Sequence, residues 1–196
     1  GINDILIKNY DNNKGFEGKP QNFDQLKNTS GFYFLSQKLN FNEKLFSDIS
    51  ISLNSNSYDW ERVFPRKETE KIQFKNQWLP NFGFTYLLGK GFSARGKIGK
   101  GNSAPTNEEI RSSTQEFNQN LRPEYGWNKE LGLRKQFRNS FFVEIGYFDF
   151  RMKEAIVRRQ NENGEEFFVN SGETVQKGLE LLLESKNFDF ENDFFS

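Results

Sequence analysis

Residues Lys71 to Leu88 read KIQFKNQWLPNFGFTYLL, with Ile72, Phe74, Trp78, Phe82, Phe84, Tyr86 and Leu88 on the even-numbered positions. The odd-numbered positions carry Lys71, Gln73, Lys75, Gln77, Asn81, Gly83 and Thr85. Successive side chains of a strand leave a pleated backbone on opposite sides, so a period of two predicts a strand with one oily and one wet face. At about 3.3 Å per residue a strand of this length spans about 60 Å, several times the usual five or six residues of a globular sheet.

The same rhythm extends in both directions from this stretch. Residues 45–54 place Leu45, Ile49, Ile51 and Leu53 against Ser50, Ser52 and Asn54, and residues 31–41 place Tyr33, Leu35, Leu39 and Phe41 against Ser36, Lys38 and Asn40. Alternation returns at 92–98, 125–137 and 173–184. Residues 141–157 begin in the same way with Phe141, Val143 and Ile145, but Phe148, Phe150 and Met152 fall on the other parity, so a β-bulge is expected near Tyr147.

Short connections are predicted at 42–44, 89–91, 138–140 and 185–187, and longer polar loops at 1–30, 55–69, 99–122 and 159–166. Long alternating strands joined by short turns at one end and long loops at the other describe an all-β, antiparallel up-and-down transmembrane barrel. A soluble antiparallel sheet is the alternative, since alternation alone occurs in any half-buried sheet. The pattern yields seven strands and the start of an eighth at Phe188. Strands this long suit a barrel wider than eight strands, so residues 1–196 are expected to be part of one barrel domain.

Composition excludes several functions. Lys and Arg total 27 against 27 Asp and Glu, which leaves no basic footprint for nucleic acid. With no His and no Cys, a Ser–His nucleophile, thiol chemistry and zinc–thiolate sites are ruled out within these residues, so no enzyme, metal site or cofactor is expected. The 23 Phe, by contrast, demand an apolar surrounding.

Three segments carry a family likeness. Residues 99–110 (GKGNSAPTNEEI), 120–134 (NLRPEYGWNKELGLR) and 168–180 (FVNSGETVQKGLE) resemble, in order and at similar spacing, segments of the barrel of TonB-dependent outer-membrane receptors of the siderophore-receptor type. Pro105 and Pro123 within them lack the N–H that a ladder requires and mark loops or strand edges. The resemblance implies a barrel of about 22 strands with an N-terminal plug domain and a TonB-contacting segment, neither of which the sequence displays, nor does it display the final strands. It also implies residence in the bacterial outer membrane, contact with the TonB complex, and import of a ferric siderophore or another large scarce solute. A glycan or cobalamin importer of the same superfamily is the second reading, and a small non-transport structural barrel the third.

Two residue sets are expected to act. Tyr58, Trp60, Arg62 and Arg66, read as members of the loop at 55–69, offer ring faces and cations to an anionic ferric chelate, or else sit at the membrane interface. Arg95, Lys97, Glu130, Arg134 and Glu180 fall on the wet parity and are expected to face the lumen and the plug.

Overall fold

In the computed structural model, residues 1–111, 116–137 and 141–185 are described. The chain runs β1 (Ile2–Asn13), β2 (Phe16–Asn40), β3 (Leu45–Phe64), β4 (Glu68–Gln73), β5 (Gln77–Gly89), β6 (Phe92–Ser103), α1 (Asn107–Ile110), β7 (Glu124–Phe137), β8 (Phe141–Lys153), β9 (Ile156–Gln160), β10 (Glu166–Asn170) and β11 (Glu173–Ser185). The main sheet has nine strands in the order β1-β2-β3-β5-β6-β7-β8-β11, with β4 also paired to β3, and β9 and β10 form a separate hairpin. Every pairing is antiparallel, an up-and-down meander in which β1 and β11 are edges not paired to one another. The expected connections at 138–140 and 185–187 and the expected strand from Phe188 to Phe195 lie outside the described residues, apart from Ser185 at the end of β11.

One face is oily. Leu131, Tyr147 and Leu179 lie side by side across β7, β8 and β11, and the next outward row is Leu133, Ile145 and Leu181. Leu179 is 78% exposed and Leu131 60%, so nothing among the described residues covers this face. A soluble sheet would hide such residues, whereas a bilayer covers them. Toward the end with the long connections the oily rows give way to Lys129, Asp149 and Lys177 in one row, where Asp149 accepts from Arg151 at 2.9 Å and lies 3.3 Å from Lys177.

The other face is wet and glycine-rich. Phe148 stands opposite Gly178, where an added Cβ would come within 2.6 Å of the ring, and the Phe150 ring lies 3.0 Å from the corresponding position at Gly126. Phe148 and Phe150 are therefore on the wet face of an unbroken strand. The β7–β8 and β8–β11 registers run through Tyr147 without a shift, which corrects the expected bulge. The parity changes because glycines leave room for rings on the lumen side.

A real change of face occurs elsewhere. Gln73 pairs with Ser57 but Gln77 pairs with Asn54, so residues 74–76 stand opposite only 55 and 56 and one residue is extra. This extra residue splits the expected strand 71–88 into β4 and β5 and inverts its parity. Trp78, Phe82 and Tyr86 face outward, while Ile72 and Phe74 turn to the wet side. The loops expected at 1–30 and 55–69 are corrected as well. The first is β1 with the opening half of β2, and the second is largely the continuation of β3 to Phe64 and the start of β4. β2 and β3, at 25 and 20 residues, thus run far past the oily band, and their upper halves form an antiparallel wall beyond it.

Candidate functional site: the inner face of the barrel mouth

The inward-pointing residues of this upper wall are Asp24 and Leu26 on β2, Tyr58, Trp60 and Arg62 on β3, and Ile72 on β4. A strand face this apolar needs a cover, which comes from the crossover between β6 and β7. Thr106 caps α1 by accepting from the Glu109 amide while the Glu109 carboxylate accepts from the Thr106 amide, a reciprocal capping box that starts the short helix where the sequence reads TNEE. The turn then drops Ile110 onto Leu26, Tyr58, Trp60, Phe74 and Leu121, and Phe117, Ile156 and Phe168 close around them. Leu26 and Ile110 are fully buried. Each such side chain contributes about 1.5–3 kcal/mol, so the cover is a packed layer rather than a loose loop.

Polar contacts fix its register. The Tyr58 hydroxyl donates to the Pro105 carbonyl and accepts from Asn28 Nδ2 at 3.0 Å. Burial, and then the negative charge of Glu109, hold the Tyr58 hydroxyl above its ordinary pKa of 10.0. Trp60 stacks on Phe117 with ring centroids 5.4 Å apart and planes 6° from parallel, and the Arg62 guanidinium lies 5.0 Å from the centre of the Trp60 ring. Among the described residues, the Trp60 indole N–H has no hydrogen-bond partner.

Beside the rings lies a buried charge network. The Asp24 carboxylate, fully buried, accepts from Arg62 Nε at 2.9 Å and from Arg111 Nε, while Arg111 Nη2 donates to Asn22 Oδ1 at 3.0 Å. Two guanidinium groups supply this buried carboxylate with the hydrogen bonds that water would otherwise give it. The network joins the wall to the cover.

Of the residues expected to bind substrate, Tyr58, Trp60 and Arg62 are brought together, on neighbouring inward positions of one strand. Tyr58 is 1% and Trp60 5% exposed, so ligand contact at these rings requires the crossover to move aside. Arg66 is apart from them, exposed in the turn between β3 and β4. Asp24, Leu26, Ile110, Arg111 and Leu121 complete the cluster and were not expected from sequence; the capping box at Thr106 to Glu109 was the legible clue that a helical turn interrupts the crossover.

The second set lies lower on the wet face. Arg95 and Glu144 form an ion pair over Gly132, where a Cβ would sit 3.0 Å from Glu144 Oε1 and 3.2 Å from Arg95 Cγ. Arg134 lies 3.4 Å from the centre of the Phe142 ring. Lys97 and Glu130 are cross-strand neighbours, Glu130 accepts from Asn128, and Glu180 stands opposite Gly146. With Asp48, these three line an open groove along the wall.

The chain matches the family model described as TonB dependent receptor-like, beta-barrel, over residues 3–195. No curated protein sequence matches it. Among solved structures, the siderophore receptor PirA from Pseudomonas aeruginosa superposes with a TM-score of 0.55 at 16% identity, over 84% of this chain and 44% of that one. The ferric-catecholate import receptor Fiu from K12 E. coli gives 0.59 at 10% identity, over 86% and 27%. The hemophore receptor HasR of Serratia marcescens gives 0.52 at 11%, over 83% and 40%. The chain thus spans less than half the length of each, and the likeness at these identities is one of fold. Proteins of this family are receptors and transporters rather than enzymes. On the family match, and with the meander of outward oily rows and inward glycines behind it, the chain belongs to the TonB-dependent receptor-like β-barrel family.

Proposed function

We propose that the protein containing this chain is a receptor of the bacterial outer membrane that imports a ferric siderophore or a similarly large, scarce solute. These residues form part of the wall of its one barrel domain. The observation that carries the reading is the structured mouth: β2 and β3 project past the oily band, and the crossover folds inward onto them and covers their inner face. A channel open to ions would not need such a cover, while a receptor that captures a rare solute does. The names of the structural neighbours, which include a siderophore receptor and a ferric-catecholate import receptor, support an iron chelate as the cargo.

On this reading a plug domain elsewhere in the protein fills the lumen. Arg95, Lys97, Glu130, Arg134 and Glu180 face it, and the TonB complex supplies energy through an N-terminal segment. Lys97, Glu130 and Glu180 are the best placed of the five, since Arg95 and Arg134 already engage Glu144 and Phe142. Tyr58, Trp60 and Arg62 act on the solute once the crossover is displaced, and Arg66 meets it at the rim.

Growth of a deletion strain on defined iron sources tests the reading. Loss of growth on one ferric chelate, restored by the gene, identifies the cargo. Undiminished growth on every iron source, with a defect on a glycan or on cobalamin, moves the protein to the second reading.

A further inference from the structure

Three elements at the mouth border a wide-open cavity of about 800 Å³: the tip of the β1–β2 hairpin, α1, and the β9–β10 hairpin. Tyr10, Phe16 and Phe168 supply rings to its lining, and Asp11, Glu17, Glu108 and Glu166 supply four carboxylates. Among the described residues, Lys8 and Arg111 are the only cations that line it.

Of the two, Arg111 is taken up inside the protein, whereas Lys8 is exposed and is outnumbered by the carboxylates around it. The Arg111 side chain is 6% exposed and is held by Asp24 and Asn22, and the Lys8 ammonium lies 5.6 Å from the centre of the Phe23 ring. Glu166 pairs with Arg158 at 3.0 Å. Asp11 accepts from the Gln21 amide at 2.7 Å, which leaves its charge in place, and among the described residues Asp11, Glu17 and Glu108 carry no ion pair. Among the described residues no group of three acidic side chains is close enough to hold a metal ion, so these charges are spread around the cavity rather than gathered at one point.

We infer that this cavity admits an uncharged or positively charged ferric chelate and turns away multiply anionic ones, an inference that rests on the receptor reading above. Carboxylates accept hydrogen bonds from N–H and O–H groups of a ligand, and the rings offer faces to its apolar arms. A chelate with several negative charges instead brings like charge against Asp11, Glu17 and Glu108, the arrangement by which an interface suppresses a wrong partner. Since charges are screened beyond about 8 Å at physiological salt, the discrimination acts on the seated ligand and weakens as salt is raised.

The test uses the full-length receptor in detergent and two probes, an uncharged ferric trihydroxamate and a triply anionic ferric tris-catecholate, each titrated by quenching of tryptophan fluorescence. The trihydroxamate is expected to bind at least about tenfold tighter. The triple variant Asp11→Asn, Glu17→Gln, Glu108→Gln is expected to narrow that ratio about tenfold by strengthening tris-catecholate binding. All three side chains are exposed, and a heat-modifiable gel band verifies that the variant barrel is folded. Tighter binding of the tris-catecholate by the unaltered protein, or a ratio that the triple variant leaves unchanged, overturns the inference and leaves the receptor reading intact. Binding of neither probe, with iron-dependent growth also normal in the deletion strain, overturns both.

Discussion

Asp24 on β2 and Arg111 at the end of α1 stand 87 residues apart in sequence and share a buried ion pair across the mouth of the barrel. Through it the crossover is fastened to the wall at a point where neither partner has water to fall back on. Removing one member of a buried pair costs about 3–5 kcal/mol when the other is left uncompensated, and Arg111→Ala costs less than that because Asp24 keeps its bond from Arg62. Arg111→Ala is therefore expected to loosen residues 104–111 and 116–122 while the sheet below keeps its structure. Hydrogen exchange would show faster exchange at the Ile110, Arg111 and Asn118 amides, with β6 and β7 unchanged; uniform protection would mean the pair contributes nothing to the cover.

Trp60 is the largest ring under that cover. Its truncation to Ala is expected to cost about 3–5 kcal/mol locally, because the stack on Phe117 and the seat of Arg62 go with it. Read as a loop residue, Trp60 would be removable at little cost. Its place on the β2–β3 ladder, opposite Leu26, reverses that expectation. Limited proteolysis of the assembled receptor separates the two, with faster cleavage in the crossover of the variant expected here.

The upper wall shows where sequence reading stops. Alternation is written strongly only where one face meets lipid and the other water, as at Leu131, Leu133 and Phe82. Above the membrane both faces of a strand meet water or protein, so residues 55–64 (SNSYDWERVF) and 1–30 carry no clean period and read as loops. The inversion at 74–76 was hidden because Ile72 and Phe74 are as apolar as Trp78, although the former serve a protein core and the latter a bilayer. Tyr58, Trp60 and Arg62 were legible as an aromatic–basic group, but Asp24 and Arg111 were not, since a partnership across 87 residues leaves no local pattern.

Gly91 has a double constraint. Its φ of +77° lies in the left-handed region, and a Cβ there would stand 2.5 Å from the Gln136 carbonyl oxygen. Backbone cannot yield as a side-chain tip can, so Gly91→Ala is expected to destabilise the β5–β6 turn by about 1–3 kcal/mol. A lowered temperature for loss of the heat-modifiable form would register it, and an unchanged temperature would refute it. Gly101, with nothing within 4 Å of its Cβ position, is the control.

Tyr58 gives the mouth a pH response. Its hydroxyl titrates above 10.0 in the folded protein because burial and Glu109 disfavour the anion, so its contribution is complete below pH 10 and is lost as pH rises through the folded value. Exchange in the crossover is expected to accelerate in that alkaline window. In Tyr58→Phe the step should vanish, at the cost of the hydrogen bond to Pro105 at every pH. An identical alkaline step in the variant would assign it to another group.

The wall, its register and its change of face all turn on which side chains meet lipid. Nitroxide labels placed singly at Leu133, Trp78, Gly132 and Ile72 of the full-length receptor in bilayers, read by their relaxation with dissolved oxygen and with a water-soluble nickel chelate, measure this directly. Oxygen should dominate at Leu133 and Trp78, which point outward, and should not at Gly132 and Ile72, which point to the lumen side of neighbouring positions and of the inverted strand. Oxygen dominance at Gly132, or equal accessibility at Ile72 and Trp78, would contradict the wall, its register and the change of face at 74–76 together.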